Sequence, residues 1–158
     1  GNAWYVQDVR YVPGADDELA ALHSLNPKRV AVAVRRFQDI LGNQAAPDST
    51  ARVKLTEYEA NRLAYEATSA KGGVIVFSDI YYPGWTCTVD GRETPVGRAD
   101  YVLRAIRVPA GKHKIVMNFE PKSVRVTEAV AYSALSVLAL LALAYLLLAC
   151  RRPRKGQA

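Results

Sequence analysis

The chain has 158 residues, half of them apolar, with 21 Lys and Arg against 15 Asp and Glu. That length accommodates one domain, or one domain plus an anchor. The net charge of +6 does not indicate a nucleic-acid partner, because residues 1–122 carry +2 and residues 123–158 carry +4, and no Lys/Arg run interleaved with aromatics precedes the apolar C-terminal stretch.

The chain opens on Gly1-Asn2-Ala3-Trp4 with no basic leader, apolar h-region or cleavage site, so it is expected to be a fragment of a longer polypeptide. Trp4 to Val12, rich in aromatic and β-branched residues and closed by Pro13-Gly14, predicts a strand and a turn. Asp16, Asp17 and Glu18 then precede Leu19, Leu22 and Leu25, which predicts a short helix whose acidic start caps its own free amides. Val30, Val32 and Val34 alternate with Ala31 and Ala33 as a strand does, and Arg35 to Leu41 suits a second short helix. The polar, turn-rich stretch that follows is expected to be a linker over 43–50.

From Ala51 the pattern is a succession of short strands. Val53-Lys54-Leu55 and Leu63-Ala64-Tyr65 flank a turn near Asn61, and the apolar run Val74 to Phe77 after Gly72-Gly73 suits a strand buried on both faces. Trp85 to Val89 leads into Asp90-Gly91, a hairpin signal because both positions tolerate positive φ. Tyr101, Leu103 and Ala105 alternate with Val102, Arg104 and Ile106, and after Pro109-Ala110-Gly111-Lys112 the residues Ile115, Met117 and Phe119 share one face. Six or seven such strands predict a mainly β fold: an antiparallel β-sandwich over 51–122, with residues 1–42 as an α/β segment packed on it.

Ala129 to Cys150 contains no charged residue. As a helix it would be about 33 Å long, enough to cross a hydrocarbon core of about 30 Å. The alternative of a buried core helix fits poorly with a stretch that lacks any polar stripe. The expected membrane helix occupies 123–150 and a basic tail 151–158. Arg151, Arg152, Arg154 and Lys155 follow the span, against Lys122 and Arg125 before it, partly offset by Glu128. This asymmetry places the tail in the cytoplasm and residues 1–122 outside it, periplasmic or extracellular, tethered close to the bilayer.

Little in the chain suggests catalysis. His23 and His113 are far apart, with no Cys, Asp or Glu at ligand spacing, and both have local structural explanations; no metal site or cofactor is indicated. Cys87 and Cys150 fall on opposite sides of the expected topology and cannot pair. Asp79, Glu93 and Asp100 would serve glycoside chemistry only if their loops converged, which their spacing does not require. The densest feature is Phe77-Ser78-Asp79-Ile80-Tyr81-Tyr82-Pro83-Gly84-Trp85. Its rings suit stacking on sugars, with tyrosine hydroxyls and Arg98 or Arg104 donating hydrogen bonds, or else sealing one end of the sandwich core.

Here the chain resembles the YfhO-like bacterial multi-pass membrane proteins. The resemblance rests on Gly1 to Trp4, Ser78 to Trp85, Val89-Asp90-Gly91, Ala99 to Ala105 and Val108 to His113, in the family's order. Asp79 stands where Glu is expected, and Cys87 where a small residue is usual. The resemblance implies membrane glycosyltransferases that use lipid-linked sugars, with many helices, a catalytic acid in an early outer loop and a C-terminal outer domain. This chain would be that last domain and final span, without the catalytic acid, so no catalytic residue is assigned. Asp79, Tyr81, Tyr82, Trp85, Arg98 and Arg104 are the candidate glycan contacts. Implied partners are the lipid bilayer, the remaining transmembrane helices of the parent protein, and a lipid-linked sugar or envelope glycan. A membrane-anchored carbohydrate-binding module and a purely structural envelope domain are the other two readings.

Overall fold

A computed structural model describes residues 2–42 and 48–150, apart from the side chains of 122–126 and 148–150. Most of the expected linker over 43–50 and all of the basic tail, with Arg151, Arg152, Arg154 and Lys155, lie outside the described residues. The chain forms two compact units, Gly1–Glu120 and Pro121–Ala158.

The first unit is mainly β. The predicted strand from Trp4 to Val12 is two strands, β1 (Ala3–Tyr5) and β2 (Asp8–Val12). The break at Val6 and Gln7 hands the chain from one sheet to another: Val6 N donates to Val74 O, and Gln7 N donates to Arg29 O. β2 continues through α1 (Ala15–Leu22) into β3 (Val30–Val34), which pairs parallel to β2. A parallel pair needs a crossover, and α1 supplies it. The helix is not capped by its acidic side chains as expected. Its N-cap is Gly14, without a side-chain cap bond, and Glu18 is fully buried. After β3, the 3-10 turn Arg35–Phe37 runs into α2 (Gln38–Leu41).

The remaining strands are β4 (Arg52–Glu59), β5 (Arg62–Ser69), β6 (Gly73–Ile80), β7 (Trp85–Val89), β8 (Arg92–Glu93), β9 (Gly97–Ala99), β10 (Leu103–Val108) and β11 (Gly111–Phe119). They number eight where six or seven were expected, because β8 and β9 are too short to leave a sequence pattern. Two antiparallel sheets result, with strand orders β1-β6-β10-β9 and β4-β5-β11-β7-β8. Tyr65, Phe77, Ile106, Ile115 and Met117 interlock between them. The outer face of the first sheet, with Val74, Val76, Ala99 and Ala105, is covered by Val9, Ala31, Ala33, Phe37 and Leu41. β6 is therefore central to three layers, which explains why its sequence is an apolar run with no alternation. Each such buried side chain contributes roughly 1.5–3 kcal/mol.

In the second unit, α3 (Lys122–Cys150) contains a 21-residue stretch, Thr127–Leu147, of mean hydropathy 2.2. At 1.5 Å per residue this is long enough to cross a hydrocarbon core of about 30 Å. Ser133 Oγ donates to Ala129 O and Ser136 Oγ to Tyr132 O, so the helix satisfies these hydroxyls internally.

Two glycines test how the turns are held. Gly72 has φ +72°, and a Cβ there would lie 2.7 Å from the backbone of Val108 and Pro109; Gly91 has φ +79° but open space around it. Gly91→Ala should therefore lower the unfolding free energy by only about 1 kcal/mol, the cost of the left-handed conformation. Gly72→Ala should cost about 3 kcal/mol, since the backbone of the β10–β11 turn must also move. Chemical denaturation of the two variants measures the difference, and equal losses would contradict the close approach.

Candidate ligand-facing site

The aromatic motif runs off the end of β6 and returns at the start of β7. Pro83 fixes its own φ, Gly84 adopts φ +109°, and Trp85 N donates to Tyr82 O across the turn. This geometry sends the rings of Tyr82 and Trp85 to Phe119 at the end of β11, with centroids 6.2 and 5.3 Å away. Glu120 N closes the corner by donating to Gly84 O.

Arg104 lies beneath these rings. β10 alternates, so Leu103 and Ala105 face the α/β layer while Arg104 and Ile106 face the second sheet. The guanidinium sits 4.0 Å from the centroid of Trp85, 3.3 Å from Asp79 Oδ2, and 3.6 Å from Met117 Sδ, and the residue is 2% exposed. A desolvated cation of this kind is held by the combination of carboxylate and ring quadrupole. Among the described residues, Arg104 Nε, Asp79 Oδ2 and Tyr65 OH have no hydrogen-bond partner. Burial, reinforced by the Asp79 charge, pushes the Tyr65 hydroxyl up to about 12. Nearby Cys87 is likewise pushed up to about 12 by burial, which makes it an unreactive thiol.

Four of the six candidate contacts therefore come together: Asp79, Tyr82, Trp85 and Arg104. Tyr82 is exposed, Asp79 and Trp85 are half-buried, and Arg104 is buried. The other two belong elsewhere. Tyr81 packs edge-on against Phe37, 5.8 Å between centroids, and Arg98 lies 5.9 Å from the same ring. Arg98 donates to Glu18 Oε2 at 2.6 Å, while Glu18 Oε1 accepts from Tyr101 N. Beside them, Asp100 Oδ1 accepts from Val32 N and Asp100 N donates to Val32 O. Asp100 and Tyr101 both have positive φ, +49° and +69°, unusual for residues with side chains.

The three carboxylates considered for glycoside chemistry occupy separate settings: Asp79 against Arg104, Asp100 against Val32, and Glu93 on the exposed strand β8. His113 uses both ring nitrogens, with Nδ1 2.6 Å from Asp90 Oδ2 and Nε2 3.2 Å from Ala110 O. It locks the Asp90-Gly91 hairpin to the β10–β11 turn, the structural role expected of it. Sequence reasoning missed Phe119, Phe37 and Glu18 as members of these clusters. Glu18 had a signal: it lies three, four and seven residues before Ala21, Leu22 and Leu25, on the apolar face of the helix.

Asp100 gives a pH prediction. Burial, together with the nearby Glu18 charge, raises its carboxyl from 3.8 to about 6, against the opposing bond from Val32 N. The folded state thus holds a proton that the unfolded chain releases, so stability falls as pH rises from about 4 to 6 and stays reduced above it. Asp100→Asn keeps an oxygen for Val32 N, tolerates positive φ and carries no charge. It should raise the unfolding free energy at pH 7.5 by about 2 kcal/mol and have no effect near pH 4. Urea unfolding followed by tryptophan fluorescence at the two pH values checks this; a variant equally destabilised at both would show that the carboxylate charge is not the strained element.

No curated protein and no solved structure gives a significant match. The family model described as bacterial membrane protein YfhO matches residues 34–131. The matched region begins at the end of β3, takes in the strands from β4 to β11, and continues into α3. With more than half of its length matched, and with an apolar helix long enough to cross a bilayer, the chain belongs to the YfhO family of bacterial membrane proteins.

Proposed function

We propose that the first unit is an extracytoplasmic accessory domain, and α3 the final span, of a multi-pass protein that transfers sugars from lipid-linked donors in the cell envelope. The observation that carries this reading is the family match running without interruption from the sandwich into the apolar helix. On this reading an early outer loop of the parent carries the catalytic acid, and the domain presents glycan to it. Tyr82 offers the exposed stacking face, Trp85 is held flat by Arg104 beneath it, and Asp79 accepts hydrogen bonds from sugar hydroxyls. Arg104 is a positioning residue; Tyr81 and Arg98 pack the α/β layer.

Sidedness follows from the excess of Arg and Lys after the span. A green fluorescent protein fused after Ala158 should fluoresce, and alkaline phosphatase fused there should be inactive. The opposite pair of results would reverse the topology.

The glycan role is tested with the intact protein in its own membranes. Tyr82→Ala removes an exposed ring and should leave the unfolding midpoint unchanged, whereas Arg104→Ala would cost about 3 kcal/mol by leaving Asp79 unpaired. Transfer of radiolabelled sugar from a lipid-linked donor should fall about tenfold in Tyr82→Ala. Undiminished transfer would replace this reading with that of a purely structural envelope domain.

A further inference from the structure

The large apolar side chains left exposed on the first unit are unevenly placed. Among the described residues they are Leu19 on α1, and then Tyr58, Ile80, Tyr82, Tyr101 and Val102. The last five share one end of the sandwich. Tyr58 pairs with Leu63 beside the turn whose Asn61 O accepts from Phe119 N. Ile80 pairs with Leu103, Tyr81 N donates to Val102 O, and the Tyr82 ring lies against Phe119. The opposite end, formed by the Asp90-Gly91 hairpin and the turns after β5 and β10, carries none of them. A soluble domain rarely gathers exposed aromatic and branched residues on one rim unless something covers them.

The covering partner is indicated by where the chain goes next. β11 ends at Phe119, in the middle of this rim, and the span begins at Thr127. Eight residues reach at most about 28 Å even when fully extended. The chain thus leaves the first unit at this rim and must reach the span within that length. Its composition, three tyrosines with Ile and Val, is that of a membrane interface, where amphipathic rings settle at headgroup depth. We infer that this rim, with Ile80, Tyr82 and Val102 at its surface, rests in the interfacial region of the bilayer. The inference requires only that α3 spans a membrane, and is independent of any sugar chemistry.

The test uses the full chain in nanodiscs, in a Cys150→Ser background. Cys87 is buried and will not label. Single cysteines replacing Ile80, Val102 and, at the opposite end, Glu93 are labelled with an environment-sensitive nitrobenzoxadiazole dye. The discs are prepared with and without phosphatidylcholine spin-labelled near the headgroup. Emission at positions 80 and 102 should shift to the blue and fall two- to threefold with spin-labelled lipid, while position 93 changes little. Quenching at 80 and 102 no greater than at 93 would overturn the inference. So would blue-shifted emission that spin-labelled lipid leaves unquenched, because protein and not lipid would then cover the rim.

Discussion

The buried ion pair between Glu18 and Arg98 is the contact on which the layering of the first unit depends. Glu18 is fully inside, on a helix that packs against β3, and Arg98 comes from the edge strand β9 of the sandwich. A lone carboxylate at that depth would be strongly unfavourable, so the helix is stable in place only when Arg98 and the Tyr101 amide meet it. Apolar packing of Val9, Ala31 and Ala33 on β6 supplies most of the burial energy between the layers, but it is non-directional. The ion pair supplies the direction. It selects one position of α1 over the sheet, in the way that a single polar group can set register within an apolar interface.

Arg104 plays a comparable part inside the sandwich, with a different result. Among the described residues its charge is met by one carboxylate at 3.3 Å and one indole face, and Nε and the Tyr65 hydroxyl are left without hydrogen-bond partners. An aliphatic side chain of similar volume would pack there with no desolvation cost, so stability alone does not account for an arginine. What the arginine does is fix the plane of Trp85 and the rotamer of Asp79 at the end of the domain where Tyr82 is exposed. A held ring loses less side-chain entropy when a ligand stacks near it than a free one does. Packing and ligand-facing roles for this motif are therefore not exclusive: Trp85 and Arg104 belong to the core, and the same contacts orient the edge that faces outward.

Much of this architecture is legible in the sequence, for reasons that can be stated residue by residue. The run Val74 to Phe77 reports a strand covered on both faces, Asp90-Gly91 a tight hairpin, and the uncharged stretch from Ala129 a helix long and apolar enough to cross a membrane, because each pattern reflects a local or one-dimensional constraint. The alternation of Val102, Arg104 and Ile106 already places Arg104 on an apolar face. What is not legible is set by distant pairing. Nothing near Trp4 indicates that the strand breaks at Val6 to serve two sheets, since the signal is the company of Val74 and Arg29, far along the chain. The acidic start of α1 reads as a solvated cap, and although spacing puts Glu18 on the apolar face of the helix, nothing local names the partner that makes its burial possible, which comes from β9, eighty residues on. The division of the six candidate contacts has the same origin: Tyr81 and Tyr82 are neighbours in sequence, but the turn sends one ring to Phe37 and the other to Phe119.

These two clusters are joined through a short piece of backbone. Glu18 holds the Tyr101 amide, Asp100 is pinned to Val32 on both its amide and its carboxylate, and the next carbonyl, that of Val102, receives the amide of Tyr81. Two consecutive residues at positive φ are the cost of that path, since a relaxed strand there would continue β10 straight past the motif. At this turn Tyr101 and Val102 precede β10 and stand exposed on the rim, beside Ile80 and Tyr82. Because the α/β layer supplies the groups that hold this conformation, the shape of the exposed rim is determined from the opposite face of β6, through a buried carboxylate that no ligand or lipid needs to touch.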